Sequence, residues 1–140
     1  MLSQDSVNRE QLNDEKYNAY CAGLYEGEGT VGFCMSWRRW RKNGKVYEYH
    51  TPEIKFSIEM CDIYPLELFQ DHMDTGTISK RNRRNPNHKN IYVYRVYGYK
   101  NIKEVMEKIY DWLSPRRQVQ YDESIKLYLE AREERGFNND

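Results

Sequence analysis

Hydrophobic and polar residues along this chain change period several times, and each change marks an element. Up to Gly29 the spacing is helical: Tyr17, Tyr20, Cys21 and Leu24 supply apolar contacts, and Asn13 or Asp14 stands where an N-cap belongs. From Thr30 the period is two. Val31, Phe33, Met35 and Trp37 alternate with Gly32, Cys34, Ser36 and Arg38, as in a strand with one buried face. Asn43-Gly44 favours a hairpin turn, and the returning strand sets Ile54, Phe56, Ile58 and Met60 against Thr51, Glu53, Lys55, Ser57 and Glu59. Pro52 cannot donate to a ladder, so it predicts an edge or a bulge.

Asp62 then caps a short helix with Pro65 in its first turn and Leu66, Phe69 and Met73 facing inward, ended by Gly76. A second hairpin runs from Thr77 towards Arg84, turns through Asn85-Pro86-Asn87-His88 and returns over Ile91 to Tyr99. Aromatic residues of both parities leave the facing of that return strand open. Asn101 with Glu104 forms a capping box for a helix whose stripe is Ile102, Val105, Met106, Ile109 and Leu113. Ser114-Pro115 ends it and starts a last helix through Tyr121, Ile125, Tyr128 and Leu129 towards Gly136.

The order is α-β-β-α-β-β-α-α, most economically an α+β fold with a curved antiparallel four-stranded sheet and helices on one face. The 140 residues suit one domain over 13–140, and the polar, aperiodic residues 1–12 read as a flexible N-terminal arm.

The stretch Cys21 to Gly29 combines two features that a helix selected for stability alone would avoid. Ala19, Gly23 and Gly27 recur at i, i+4 and i+8, a stripe of nearly bare backbone costing about 1 kcal/mol per interior glycine relative to alanine. Glu26 and Glu28 stand in the last turn, where the helix dipole repels a carboxylate and a cation would relieve it. One reading is close packing on a neighbouring helix with two solvated acids. The other is that two copies of the helix meet through Gly23 and Gly27 and bring an acid from each to one spot.

The formal net charge is zero, but residues 37–100 hold 13 Lys or Arg and 7 Asp or Glu. A local basic excess can track phosphates whatever the total. With helices on one sheet face, the other presents Ser36, Arg38, Lys55, Ser57, Thr77, Ser79, Arg81, Arg83 and Arg95, a set suited to base edges in a major groove. Arg39, Arg41, Lys42, Lys45, Arg84 and Lys89, near hairpin tips, suit phosphates, which fix position and not sequence. Cys21, Cys34 and Cys61 form no pair pattern and predict neither disulfide nor zinc, hence a reducing, intracellular setting. No apolar run spans a membrane, and His50, His72 and His88 are too scattered for a metal or nucleophile set.

Cys21 to Gly29 resembles the nine-residue signature of the LAGLIDADG homing endonucleases. Ala22, Gly23, Leu24 and Gly29 are identical to it, Glu26 and Glu28 stand for its two aspartates, and Cys21, Tyr25 and Gly27 fall at packing positions. The element order read from the periods is also that family's. With a single motif, the resemblance implies a homodimer meeting at Ala19, Gly23 and Gly27. It further implies a staggered double-strand cut in a long pseudo-palindromic DNA site, an intron or intein setting, and location wherever the target DNA lies. Glu28, with Gly27, then holds Mg²⁺, for which Mn²⁺ can substitute. A basic residue near the start of the last helical segment corresponds to Arg116 or Arg117, and the Arg117-x-x-Gln120 spacing favours Arg117. Two departures stand out: arginine transfers protons poorly where relatives usually have lysine, and Met60 occupies a place where they often have a polar side chain. Both favour the alternative, a non-catalytic nucleic-acid binder on the same fold, either an intron RNA maturase or a DNA-binding regulator.

Overall fold

The computed structural model describes residues 4–81, 86–87 and 89–135, with side chains from Asn13 onward. The elements are α1 (Gln4–Glu28), β1 (Gly29–Lys42), β2 (Lys45–Met60), α2 (Ile63–Met73), β3 (Thr77–Arg81), β4 (Ile91–Tyr97), α3 (Tyr99–Ile109), a 3₁₀ turn at Tyr110–Trp112 and α4 (Pro115–Glu134). The strands form one antiparallel sheet in the order β1-β2-β4-β3.

Period-two alternation becomes a face through register. Val31 pairs with Phe56 and Phe33 with Ile54, while Phe56 pairs with Val96 and Ile58 with Tyr94, so these side chains share the helix-covered side. There they meet Leu66 and Phe69 of α2, Ile102, Val105, Met106 and Ile109 of α3, and Cys21, Ala22 and Tyr25 of α1 in one buried cluster. The α2 and α3 stripes fall as expected, and Asp62 accepts from the Tyr64 N–H at 3.0 Å. The hairpin turn has positive φ at both Asn43 and Gly44, the conformation that joins two twisted strands with two residues. Pro52 pairs with Met35, but β4 reaches only Lys55 on the other side of β2, so Pro52 lies on a local open edge.

Several expectations need correction. The first helix begins by Gln4, and Asn13 and Asp14 lie inside it: residues 4–12 contain neither glycine nor proline, so nothing stops a helix propagated from its packed turns. Tyr17 and Tyr20 are exposed, and α1 buries Ala22 and Tyr25 beside Cys21. Met35 and Trp37 have the expected parity but are exposed, because β1 and β2 outrun most of the core; Trp37 lies against His50. The chain leaves α2 at Asp74, in the left-handed region, before Gly76. No capping box starts α3: Gly98 precedes it, and Asn101 in the first turn donates to the Tyr97 carbonyl at 3.0 Å. Starting earlier lets Tyr99 stack on Tyr128 of α4. Leu129 is exposed, and Arg117 and Ser124 are buried on α4 beside Tyr128. Arg83, Arg84, Asn85, His88 and Gly136 lie outside the described residues.

Candidate active site and nucleic-acid interface

The end of α1 is fixed by a crowded junction. Gly29 follows Glu28 directly, and a Cβ there would overlap the Tyr25 ring and approach the Tyr25 carbonyl oxygen to 2.7 Å. Only glycine lets helix pass into strand at that distance. Glu26 turns inward to the start of α4, where its carboxylate accepts from the Ser114 N–H at 2.6 Å and the Ser114 hydroxyl at 3.0 Å. Those bonds, the backbone one first, hold its carboxyl below the usual glutamate range, with Arg117 and Arg116 adding to the effect and burial opposing it. Arg117 donates to the Glu26 main-chain carbonyl at 3.0 Å and to Gln120 at 3.1 Å, places Nε 3.5 Å from the Glu26 carboxylate, and lies over the Tyr25 ring. Its side chain is 11% exposed. Burial pushes the Tyr25 hydroxyl up to about 12, so it stays protonated within the junction.

Arg117, the basic residue favoured on spacing, is therefore committed to the fold, while Arg116 is exposed one position before it. Glu28 is exposed at the last position of α1 and takes no part in the junction. Two acids of one motif thus have opposite settings.

The glycine stripe faces outward. Beyond the helix's own neighbouring backbone, a Cβ at Gly23 or Gly27 would meet no atom of the described residues within 4 Å, so packing among those residues does not account for either glycine. Tyr20 shares that exposed side, and Ala19 lies at its margin, half-buried. Among the described residues no three His, Cys, Asp or Glu side chains converge as a metal site, and of the two acids in the last turn of α1 only Glu28 is exposed.

The sheet face away from the helices collects the expected polar set. Lys55 and Tyr97, Ser57 and Arg95, and Thr77 and Arg95 are cross-strand partners, and Ser36, Arg38, Ser79 and Arg81 share their side by parity. That register settles β4, turning Arg95 and Tyr97 to the polar face and Tyr92, Tyr94 and Val96 to the core side. Arg38 pairs with Glu53 at 3.4 Å, Ser36 donates to Glu53, Arg81 pairs with Glu59, and Arg95 donates to Ser79 at 3.2 Å. Lys42 and Lys45 lie on the same side at the hairpin tip, Lys42 over the Trp40 ring. Arg39 and Arg41 point to the other side, Arg39 paired with Glu48 at 3.0 Å, and Lys89 is exposed before β4. Trp40, Tyr47 and Tyr49, also on the polar side, were missing from the set read off the sequence, although the strand alternation that placed Arg38 places them too. No helix among the described residues is long and apolar enough to cross a membrane.

No protein-family model and no curated protein sequence matches the chain. Solved structures do. The homing endonuclease I-CvuI, in complex with DNA, superposes with a TM-score of 0.59 at 16% identity over 77% of this chain and 62% of its own. The group I intron-encoded homing endonuclease I-CeuI, complexed with DNA, gives 0.58 at 17% over 81% and 54%. The LAGLIDADG homing endonuclease I-LtrWI, bound to target DNA, gives 0.63 at 19% over 89% and 40%. This chain thus spans less than two thirds of the length of each. With the signature at the end of α1, the element order and the sheet topology all in agreement, the chain has the fold of the LAGLIDADG homing endonucleases.

Proposed function

We propose that two copies of this chain form a site-specific DNA endonuclease that uses a divalent metal to cut both strands of a pseudo-palindromic duplex. The observation that carries the proposal is the pairing of an exposed Glu28 with a glycine stripe against which no other part of the described residues packs. A second copy packed on Gly23 and Gly27 brings the two Glu28 side chains together, where they repel unless cation and phosphate lie between them. The donor set fits Mg²⁺, which binds through one or two carboxylates and substrate phosphate oxygens while retaining water. Glu28, with the Gly27 main chain beside it, is the group that would hold it. Bound there, the cation would polarise the phosphate and make a water more acidic.

The other parts follow from position. The junction of Glu26, Ser114 and Arg117 fixes the helix end that carries Glu28, and exposed Arg116 adds positive charge near an incoming phosphate. The polar sheet face takes the duplex, as the neighbours bound to DNA suggest, with Lys42, Lys45 and Lys89 on its backbone. A second reading, a binder without cleavage, is favoured by the burial of Arg117 and by Met60 at the end of β2. Exposure of a randomised duplex library to the protein with Mg²⁺ or Ca²⁺ tests between them. A two-fold-related site cut only with Mg²⁺ is expected; selective binding without cutting supports a DNA-binding regulator, and neither binding nor cutting contradicts both DNA readings and points to an RNA-binding maturase.

A further inference from the structure

Glu53 and Glu59 are the two carboxylates on the polar face among the described strand residues, and each lies beside an arginine of that face. The Arg38 and Glu53 pair also takes the Ser36 hydroxyl, and the Arg81 and Glu59 pair reaches across β4, which separates their strands. The Arg38 and Arg81 side chains are 52% and 49% exposed and their carboxylate partners 23% and 44%, and pairs this open to water add at most about 1 kcal/mol, so folding alone is a weak reason for their placement. Their chemistry does. In the major groove a G·C pair offers guanine O6 and N7 as acceptors and the cytosine N4 amino group as a donor. A guanidinium fork beside a carboxylate is its complement: two N–H donors for guanine and one acceptor for cytosine. An A·T pair has no base with two adjacent acceptors for the fork. A carboxylate facing guanine O6 or thymine O4 meets an acceptor and is repelled, acting against those placements.

We propose that Arg38 with Glu53, and Arg81 with Glu59, are pre-assembled readers of one G·C pair each, an inference that rests on the duplex-binding reading above. Their spacing adds a geometric requirement. Six positions along β2 separate Glu53 from Glu59, about 20 Å at about 3.3 Å per residue. At about 3.4 Å per base pair, that is about six base pairs. Ile58 pairs with Gly29 at the end of α1, so the Glu59 position is the inner one in each half-site.

The test is competitive selection of bound sites from a randomised duplex library, without cleavage, by the wild type and by Glu59→Gln, Arg81→Gln and Glu53→Gln. Melting curves would verify that each variant folds. Wild-type sites should carry two G·C pairs about six base pairs apart in each half-site. Glu59→Gln and Arg81→Gln should relax the inner preference about tenfold and leave the outer one, and Glu53→Gln should do the reverse. Wild-type sites without that pair of positions, or variants that weaken binding evenly at all positions, overturn the proposal while leaving duplex binding intact. Failure of the wild type to select any duplex overturns both the proposal and the reading beneath it.

Discussion

Glu26 and Glu28 are the same residue type two positions apart, yet the turn of the helix sends one into a hydrogen-bonded junction and leaves the other exposed. Because folding lowers the Glu26 carboxyl, the stability it contributes is full above the unfolded glutamate value of about 4.3 and disappears as pH falls through its lower folded value. Glu26→Gln should therefore melt lower at neutral pH and lose part of the acid dependence expected of the wild type below about pH 4, which thermal scans of both proteins across that range would check. A variant with an unchanged acid profile would show that Glu26 does not hold the junction. Gly29→Ala should destabilise by about 1–3 kcal/mol in denaturant titration, since the Tyr25 ring has no room to retreat from a new methyl group.

At the scale of the elements, α1 has two working faces. Cys21, Ala22 and Tyr25 enter the core while Gly23 and Gly27 open to the outside. A bulky side chain should then leave the single chain folded but keep two copies apart. Gly23→Leu is expected to retain the far-UV signature and melting of a folded chain while its mass in solution halves; an unchanged dimer mass would reject packing through that stripe. The strands and the α2 and α3 stripes were legible because the hydrophobic period is local, helped by the Asn43-Gly44 turn and the Asp62 cap, whereas the start of α3 at Tyr99 was not. What stayed hidden depends on where an element ends in space: the exposure of Met35 and Trp37 reflects a ribbon longer than the core beneath it. The Ser114 link to Glu26 joins residues far apart in sequence, and no local pattern announces it. Spacing could bring Arg117 to Gln120, but whether Arg117 faced solvent or Tyr25 required the packing of α4 on α1.

For the whole molecule, the sheet face, the helix end and the outward stripe make one proposal only if two chains act on one duplex. Each chain supplies a single exposed acid at the end of α1, while the basic residues that would hold DNA lie along the sheet. Binding and cutting should therefore separate by mutation. The most direct measurement compares the wild type and Glu28→Gln on a duplex selected by the wild type, recording affinity and strand cleavage with Mg²⁺. The expected result is double-strand cleavage by the wild type, and binding within about threefold but no cutting by the variant, because the lost group would hold metal and touches no base. Cleavage retained by Glu28→Gln would contradict the assignment of that residue and, with it, the proposed meeting of two α1 ends over the DNA.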